Sequence, residues 1–517
     1  MPVSSLAEDF VAADALQGIP RQQTNPTRWQ GEQWDVFVKA LQKENIEIRS
    51  KHFQTGVYVT DAGGLAHGLP HGVVIAKSAE QIALLMKLAQ QYEVPVTVRG
   101  GGLTTEGESV AFGGVLLDMT GMSCVINVDK ESLTVRTQAG IFWHHLAETL
   151  RRDGLDYLSA PLNLTSSVGG TLGVGGIDVN SSKHGCSADQ TLSLQVVTPT
   201  GEIIECSDDE NSDLFERVIL GYGQFGIITE ATLRIRIYTP LRMHYFYYSS
   251  LKPCVEDLLM LDRSGMCDYT GILTMMDSAI TLLVAFDSHD DDNQREAEFK
   301  ASMQHKLRGF GELGFALRLA ASFALRPWKW KEALFLLQRK RELFPDLQPE
   351  HHMHDGKMYD RAAVFSKAVW KHWGERQMVI PDLATNAEKF IEVVERGNAV
   401  CRKYFPYYTL YCVGIRLREE HCSHYELSSI PSDAKGFAYG CEFEPMYNGQ
   451  EYSRDTLQSF KNDIYDVGVE LETSYYRFGG MMKGYIRRAL GDDVVEKHLK
   501  FKKAADPAMI LNRDVIF

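Results

Sequence analysis

Three glycine-rich segments in the first half of the chain carry the residues best suited to chemistry. They are RGGGLTTEG (residues 99–107), SSVGGTLGVGGIDVNSSKHG (166–185) and GYGQFGIIT (221–229). Glycine admits positive φ and close approach of a ligand to the backbone, and runs of amides in such loops form a concavity for anions. Several such loops, far apart in sequence, suit an extended, phosphate-bearing cofactor. Each alone reads equally well as a tight turn between strands. Neither GxxxxGK[ST] nor a clean GxGxxG in a βαβ setting is present, which argues against an ATPase or an ordinary nicotinamide dehydrogenase.

Titratable groups stand near these segments. Asn163 and Asp178 flank the second. Asp178 could act as a base, although an aspartate beside a glycine turn more often bonds local amides. His184 follows the same loop, and His144 and His145 fall on a helical pattern; packing is the simpler role for all three. Tyr475, Tyr476 and Arg477 lie near the C-terminus. A tyrosine there could hydrogen-bond substrate or cofactor, or the two could be an aromatic pair on a strand face. The HHMH run at 351–354 looks metal-like, but no Asp, Glu or His spacing completes a site, and no metal is expected.

The elements that must position these groups follow from periodicity. A helix is expected in RWQGEQWDVFVKALQ. Strands are expected in GVVIA, PVTVRG and GVLLDM, in INVDKESLTVRTQAG, and in LSLQVVTPTGEIIEC with its PTG turn. SAEQIALLMKLAQQYE reads as a helix capped by Ser78, and IFWHHLAETLRRDG as a helix ending at glycine. The mixture points to an α+β fold and not to regular βαβ alternation. From about 240 the character changes. RMHYFYYSS, YYTLYCVGIRL and GFAYGCEF are strand-like, residues 290–345 are helical with a basic, solvated face, and the tail from about 450 is helical.

Composition bounds the reading. The chain has 517 residues, 44% hydrophobic and 24% charged, with a net charge of -14. That is an ordinary globular composition, long enough for two or three domains and a large core. The acidic balance argues against a nucleic-acid partner. Nine scattered cysteines without a CxxC pair suit reduced thiols in the cytoplasm. No signal peptide and no run of transmembrane length is visible.

The three glycine segments, in this order and spacing, resemble the flavin-binding domain of the vanillyl-alcohol oxidase superfamily, and within it the cytokinin dehydrogenases. Gly169-Gly170-Thr171-Leu172 and His184-Gly185 match the second loop of that group, NSDLFERVILGYGQFGIITEATLRI a further signature, and DPAMILNRDVIF its closing segment. The likeness covers about residues 65–240 and the last forty. It implies a two-subdomain PCMH-type FAD-binding domain over 65–240 with an inserted α+β substrate (cap) domain over 241–450. Residues 1–64 and 451–517 would complete the FAD domain. Implied FAD contacts are Gly100, Gly101, Gly102, Leu103, Thr104, Gly107 and Glu108 on the first loop. Ser167, Gly169, Gly170, Thr171, Gly173, Gly176 and Ile177 follow on the second, then Ile227 and Ile228, with Arg99 supporting the loop. The first three glycines would be glycines because β-carbons would collide with the phosphates.

Two departures matter. Leu103 stands where cytokinin dehydrogenases carry the histidine that bonds covalently to flavin, and Asn163 where related enzymes carry a second, cysteine tether. The FAD is therefore expected to be noncovalent and lower in potential. The family's catalytic aspartate falls at Leu162, which cannot take a proton. This argues against cytokinin as substrate and leaves Asp178, Tyr476 and Asn163 as replacement catalytic candidates. The expectation is an FAD-dependent oxidoreductase of specialised metabolism acting at a C–N or C–O bond of a small molecule, with oxygen or another electron acceptor. A flavin-binding protein that has lost catalysis, and a flavin oxygenase or oxidative cyclase, are the alternatives. The oligomeric state stays open.

Overall fold

The computed structural model describes residues 32–275, 280–287, 294–309, 357–359, 379–417, 434, 436–445, 452–477, 483–513 and 515–516. The HHMH run and residues 310–345 of the helical, basic stretch lie outside the described residues.

The first sheet is small and parallel. Its strands β1 (Gly72–Ile75), β2 (Val96–Arg99) and β3 (Val115–Asp118) run in the order β1-β3-β2. Short apolar runs such as VVI and VLL suit a parallel sheet covered on both faces. The helix Ala79–Tyr92 carries the chain from β1 to β2, so one parallel crossover does occur where sequence pattern pointed away from βαβ units. The Ser78 hydroxyl caps it, accepting from the Gln81 amide at 3.2 Å. The helix Glu32–Lys43 packs beside it, and Phe37, Leu41, Ile82, Leu85 and Met86 share one core with Val74, Val96 and Leu117.

The second sheet is antiparallel. It holds β4 (Val125–Asp129), β5 (Thr134–Gln138), β6 (Leu155–Tyr157), β7 (Thr191–Val197), β8 (Ile203–Ser207) and β9 (Ile227–Ile237). The order is β4-β5-β9-β7-β8, with β6 also on β9. The long β9 alternates buried and part-exposed residues, the period of a strand with one face on a core.

The third sheet has seven antiparallel strands: β10 (Leu241–Tyr248), β11 (Tyr269–Met275), β12 (Ile280–Asp287), β13 (Lys357–Tyr359), β14 (Asp382–Thr385), β15 (Tyr408–Arg416) and β16 (Phe437–Pro445). Its order is β13-β10-β12-β11-β15-β16-β14. Helices Leu251–Ser264 and Phe390–Tyr404 cover one face, with Leu258, Val393 and Val394 against Leu282, Leu410 and Phe443. Charged groups join this sheet to the second. Lys183 Nζ lies 2.8 Å from Asp268 and 2.7 Å from Asp287, and Arg236 Nη2 lies 2.8 Å from Asp287.

After β16 the chain returns. The helix Arg454–Glu470 packs on Phe390–Tyr404. The last residues pair in parallel with β2, the Asn512 amide donating to the Val96 carbonyl at 2.8 Å. Among the described residues, no helix is long and apolar enough to cross a membrane.

Candidate cofactor and substrate site

One cavity of about 230 Å³ runs past all three glycine segments. It is lined by Gly100, Gly101, Gly102, Leu103, Thr104 and Glu108 from the first, and by Ser167, Gly169, Gly170, Thr171, Gly173, Gly176 and Ile177 from the second. Gly223, Gly226, Ile227 and Ile228 line it from the third. Asn163 and Leu162 line it ahead of the second segment. Ile380, Glu442, Tyr476, Arg477 and Asn512 come from later in the chain.

The first loop turns its carbonyls away from this space. Gly102 and Thr104 carbonyls accept from the Ala62 and Gly63 amides at 3.0 and 3.1 Å. The Asp61 carboxylate accepts from the Gly107 amide at 2.8 Å and the Thr104 hydroxyl at 2.9 Å. The amides of Gly101, Gly102, Leu103 and Thr104 have no acceptor among the described residues. Four adjacent unpaired amides on a cavity wall are a ready cradle for phosphate oxygens.

The glycines themselves answer to a different neighbour than the sequence reading assigned. A β-carbon on Gly100 would lie 1.9 Å from Ser167 Oγ, and one on Gly102, at φ +68°, would lie 2.3 Å from the Arg99 guanidinium. The excluded volume belongs to the protein: the two loops press on each other, and no phosphate is needed to forbid a side chain. Arg99 holds the loop from behind, donating to the Thr60 carbonyl at 2.9 Å and the Ser109 carbonyl at 3.3 Å. Neither Arg99 nor Gly107 is among the residues lining the cavity.

The catalytic candidates separate. The Asp178 carboxylate accepts from the Asn180 amide at 2.9 Å, as an aspartate does in a local turn, and lines only a second, water-sized cavity of about 10 Å³. Asn163 lines the main cavity, but its Oδ1 accepts from the Thr165 amide at 3.0 Å and hydroxyl at 2.6 Å. Tyr476 lines the cavity too, and its hydroxyl accepts from the Gly176 amide at 2.7 Å. Burial pushes that phenol well above its usual range, so it remains a donor. Tyr475 points the other way, its hydroxyl donating to the Tyr465 carbonyl at 2.9 Å inside the core. The two are not a strand-face pair; they sit in an irregular turn. His184 lies at the seam between sheets, 3.3 Å from the Tyr269 hydroxyl.

Glu442, Asp382 and Asn512 went unread in the sequence. Glu442 on β16 and Asp382 on β14 are direct cross-strand partners, and Arg477 bridges them, with Nε 3.2 Å from Asp382 Oδ2 and Nη2 2.8 Å from Glu442 Oε1. Burial raises the Asp382 carboxyl to about 7 and pushes Glu442 up as well. Burial beside Asp61 and Glu106 raises Glu108 to about 8. Asn512 is the third: Val98 N donates to its Oδ1 at 2.8 Å, and its Nδ2 donates to the Gly223 carbonyl at 2.8 Å, tying β2 to the third glycine segment. A short polar residue in a C-terminal tail carries no local signal of that role.

A bed of free amides, glycine loops and apolar Ile177, Ile227 and Ile228, on one parallel and one antiparallel sheet, defines a PCMH-type FAD-binding domain, and FAD is its cofactor. Residues 70–207 match the family described as FAD binding domain. It is 34% identical over 216 residues to an uncharacterized oxidoreductase, ORF5 in the fasciation locus of Rhodococcoides fascians, covering 40% of this chain and 48% of that one. It is 33% identical over 219 residues to cytokinin dehydrogenase 3 of Arabidopsis thaliana, covering 41% and 40%. To a D-lactate dehydrogenase of Anaerostipes hadrus it is 32% identical over 172 residues, covering 32% and 36%. The chain thus spans less than half the length of these curated relatives.

Proposed function

We propose that the protein is an FAD-dependent oxidoreductase that removes hydride from a C–N or C–O bond of a small organic substrate. The observation that carries this is the continuity of one cavity. Its walls are glycine loops at one side, and Glu442, Tyr476 and Arg477 from outside the matched FAD-binding residues at the other. Bound FAD supplies the two-electron acceptor; the protein binds, orients and manages protons. The seven-stranded sheet serves as the substrate domain of residues 241–450, with 65–240 as the FAD domain and 1–64 and 451–517 completing it. Tyr476 offers its hydroxyl proton to a ligand while the Gly176 amide holds its oxygen. Asp178 orders its turn and takes no part in proton transfer.

Leu103 lines the cavity, and none of the lining residues among those described is histidine or cysteine, which supports noncovalent FAD. Leu162 also lines it, at the place of the relatives' aspartate. This supports a substrate other than cytokinin and a place in specialised metabolism. The same leucine is what favours the second reading, a flavin-binding protein without catalysis; two carboxyl groups in the cavity weigh against it.

Acid precipitation of the purified protein tests the proposal. Flavin colour should pass into the supernatant. Colour retained in the pellet would overturn the noncovalent reading, and a colourless protein that FAD cannot reconstitute would overturn the proposal itself.

A further inference from the structure

We propose that Cys412 on β15 and Cys441 on β16 are a modification site: peroxide oxidises them to a disulfide that clamps the two strands directly behind the cavity wall. The proposal does not depend on the reaction suggested above.

The register brings the two residues together. β15 and β16 pair without a break from Tyr408↔Pro445 to Arg416↔Phe437, and Cys412 lies opposite Cys441. Two bonds outside this ladder tell which kind of pair it is. The Leu410 amide donates to the Thr274 hydroxyl of β11 at 3.1 Å, and the amide of its partner Phe443 donates to the Pro381 carbonyl, on the β14 side, at 3.1 Å. Both amides thus turn away from each other, so Leu410↔Phe443 is a non-hydrogen-bonded pair. Two residues along, Cys412↔Cys441 is one too. Such pairs hold their Cα atoms about 4.5 Å apart with side chains at their closest, within the roughly 4.4–6.8 Å that a disulfide spans.

The sulfurs are already in contact. The Cys412 thiol donates to Cys441 Sγ at 3.7 Å. The bond needs about 2.05 Å, leaving about 1.7 Å to be closed from 3.7 Å by side-chain rotation. Both residues are 0% exposed. Alternation along β16 sets Cys441 in the helix-covered core with Phe443, and Glu442 on the other face, toward the cavity. Cys254 of the covering helix shares that core.

One thiolate attacks a peroxide oxygen, the O–O bond breaks, and the sulfur becomes a sulfenic acid with loss of one water. The second sulfur then attacks the first, the S–O bond breaks, and a second water leaves with its proton. Two thiols lose two electrons and two protons; hydrogen peroxide gains them as two waters. Burial holds the Cys441 thiol well above its ordinary range, so attack awaits local opening and runs slower than at exposed Cys124.

The test incubates the native, FAD-loaded full chain with hydrogen peroxide, alkylates remaining thiols in denaturant, and maps peptides without reductant. Most of Cys412 should appear joined to Cys441, two hydrogens lighter than the separate peptides, and dithiothreitol should release both. The melting temperature should rise on oxidation, because the bond restrains the unfolded chain. In Cys412→Ser the linked peptide and the rise should both vanish. Full alkylation of Cys412 and Cys441 after Cys124 has been oxidised would overturn the proposal, as would a link from Cys412 to Cys254 in place of Cys441. An unchanged melting temperature in the linked protein, or a rise that persists in Cys412→Ser, would overturn the clamp.

Discussion

Tyr476 uses the two faces of one hydroxyl for different ends. Its lone pair takes the Gly176 amide and its proton remains for a ligand. Tyr476→Phe removes both at once. The buried Gly176 amide, in a residue at φ +74°, then loses the phenol oxygen that accepts from it. The expected cost is about 1–3 kcal/mol, the desolvation penalty of an unpaired buried donor. Thermal denaturation of the apoprotein measures it, and the holoprotein should also bind FAD more weakly because the second loop loses its anchor. An unchanged melting temperature would mean that water replaces the phenol.

The helix Arg454–Glu470 reaches across the molecule to brace the first glycine loop. Its Lys461 Nζ lies 2.6 Å from Glu106 Oε2, and the Tyr465 hydroxyl donates to Glu106 Oε1 at 2.8 Å. Lys461 and Glu106 are 1% and 0% exposed, so neither charge has water to fall back on. Lys461→Met leaves Glu106 buried without a cation, which should cost about 3–5 kcal/mol. The double variant Lys461→Met/Glu106→Gln should recover most of that, because replacing a buried pair with neutral groups is often near neutral. Urea denaturation of the wild type, single and double variants checks this as a cycle. A double variant as unstable as the single one would show that the loop needs the ion pair itself.

At the scale of the whole molecule, buried carboxyls set the pH response. Burial raises Asp61 to about 6 and Asp382 to about 7, against an unfolded value of about 4. An acid whose folded pKa is raised holds its proton more tightly when folded. The native state then carries more protons than the unfolded chain between about pH 4 and 7, and stability falls as pH rises through that window. His67 and His71, pushed down by burial, slope the opposite way. The informative quantity is therefore the difference between the wild type and Asp382→Asn. The variant should lose less stability over that range, by up to roughly 4 kcal/mol. Parallel stability–pH curves for the two proteins would contradict it.

Local sequence determined a good part of this molecule. Helix periodicity and the Ser78 cap fixed Ala79–Tyr92, apolar runs fixed β1 to β3, and the glycine segments marked the cavity wall, because each of these signals is carried by neighbours in the chain. Parallel pairing of the first sheet was not legible, since four-residue apolar strands state their burial and not their direction. The reason for Gly100 was not legible either: its obstacle, Ser167, arrives from another loop. Glu442 looked like any alternate residue of a strand until pairing with β14 and β15 set Asp382 on one side of it and Tyr411 on the other. Lys461 looked like a surface lysine of an amphipathic helix until the fold laid it on Glu106, 355 residues away. Sequence decides what a segment can do by itself; only the tertiary structure decides which charges share a low-dielectric interior, and that sharing is what gives a carboxylate its pKa and its partner.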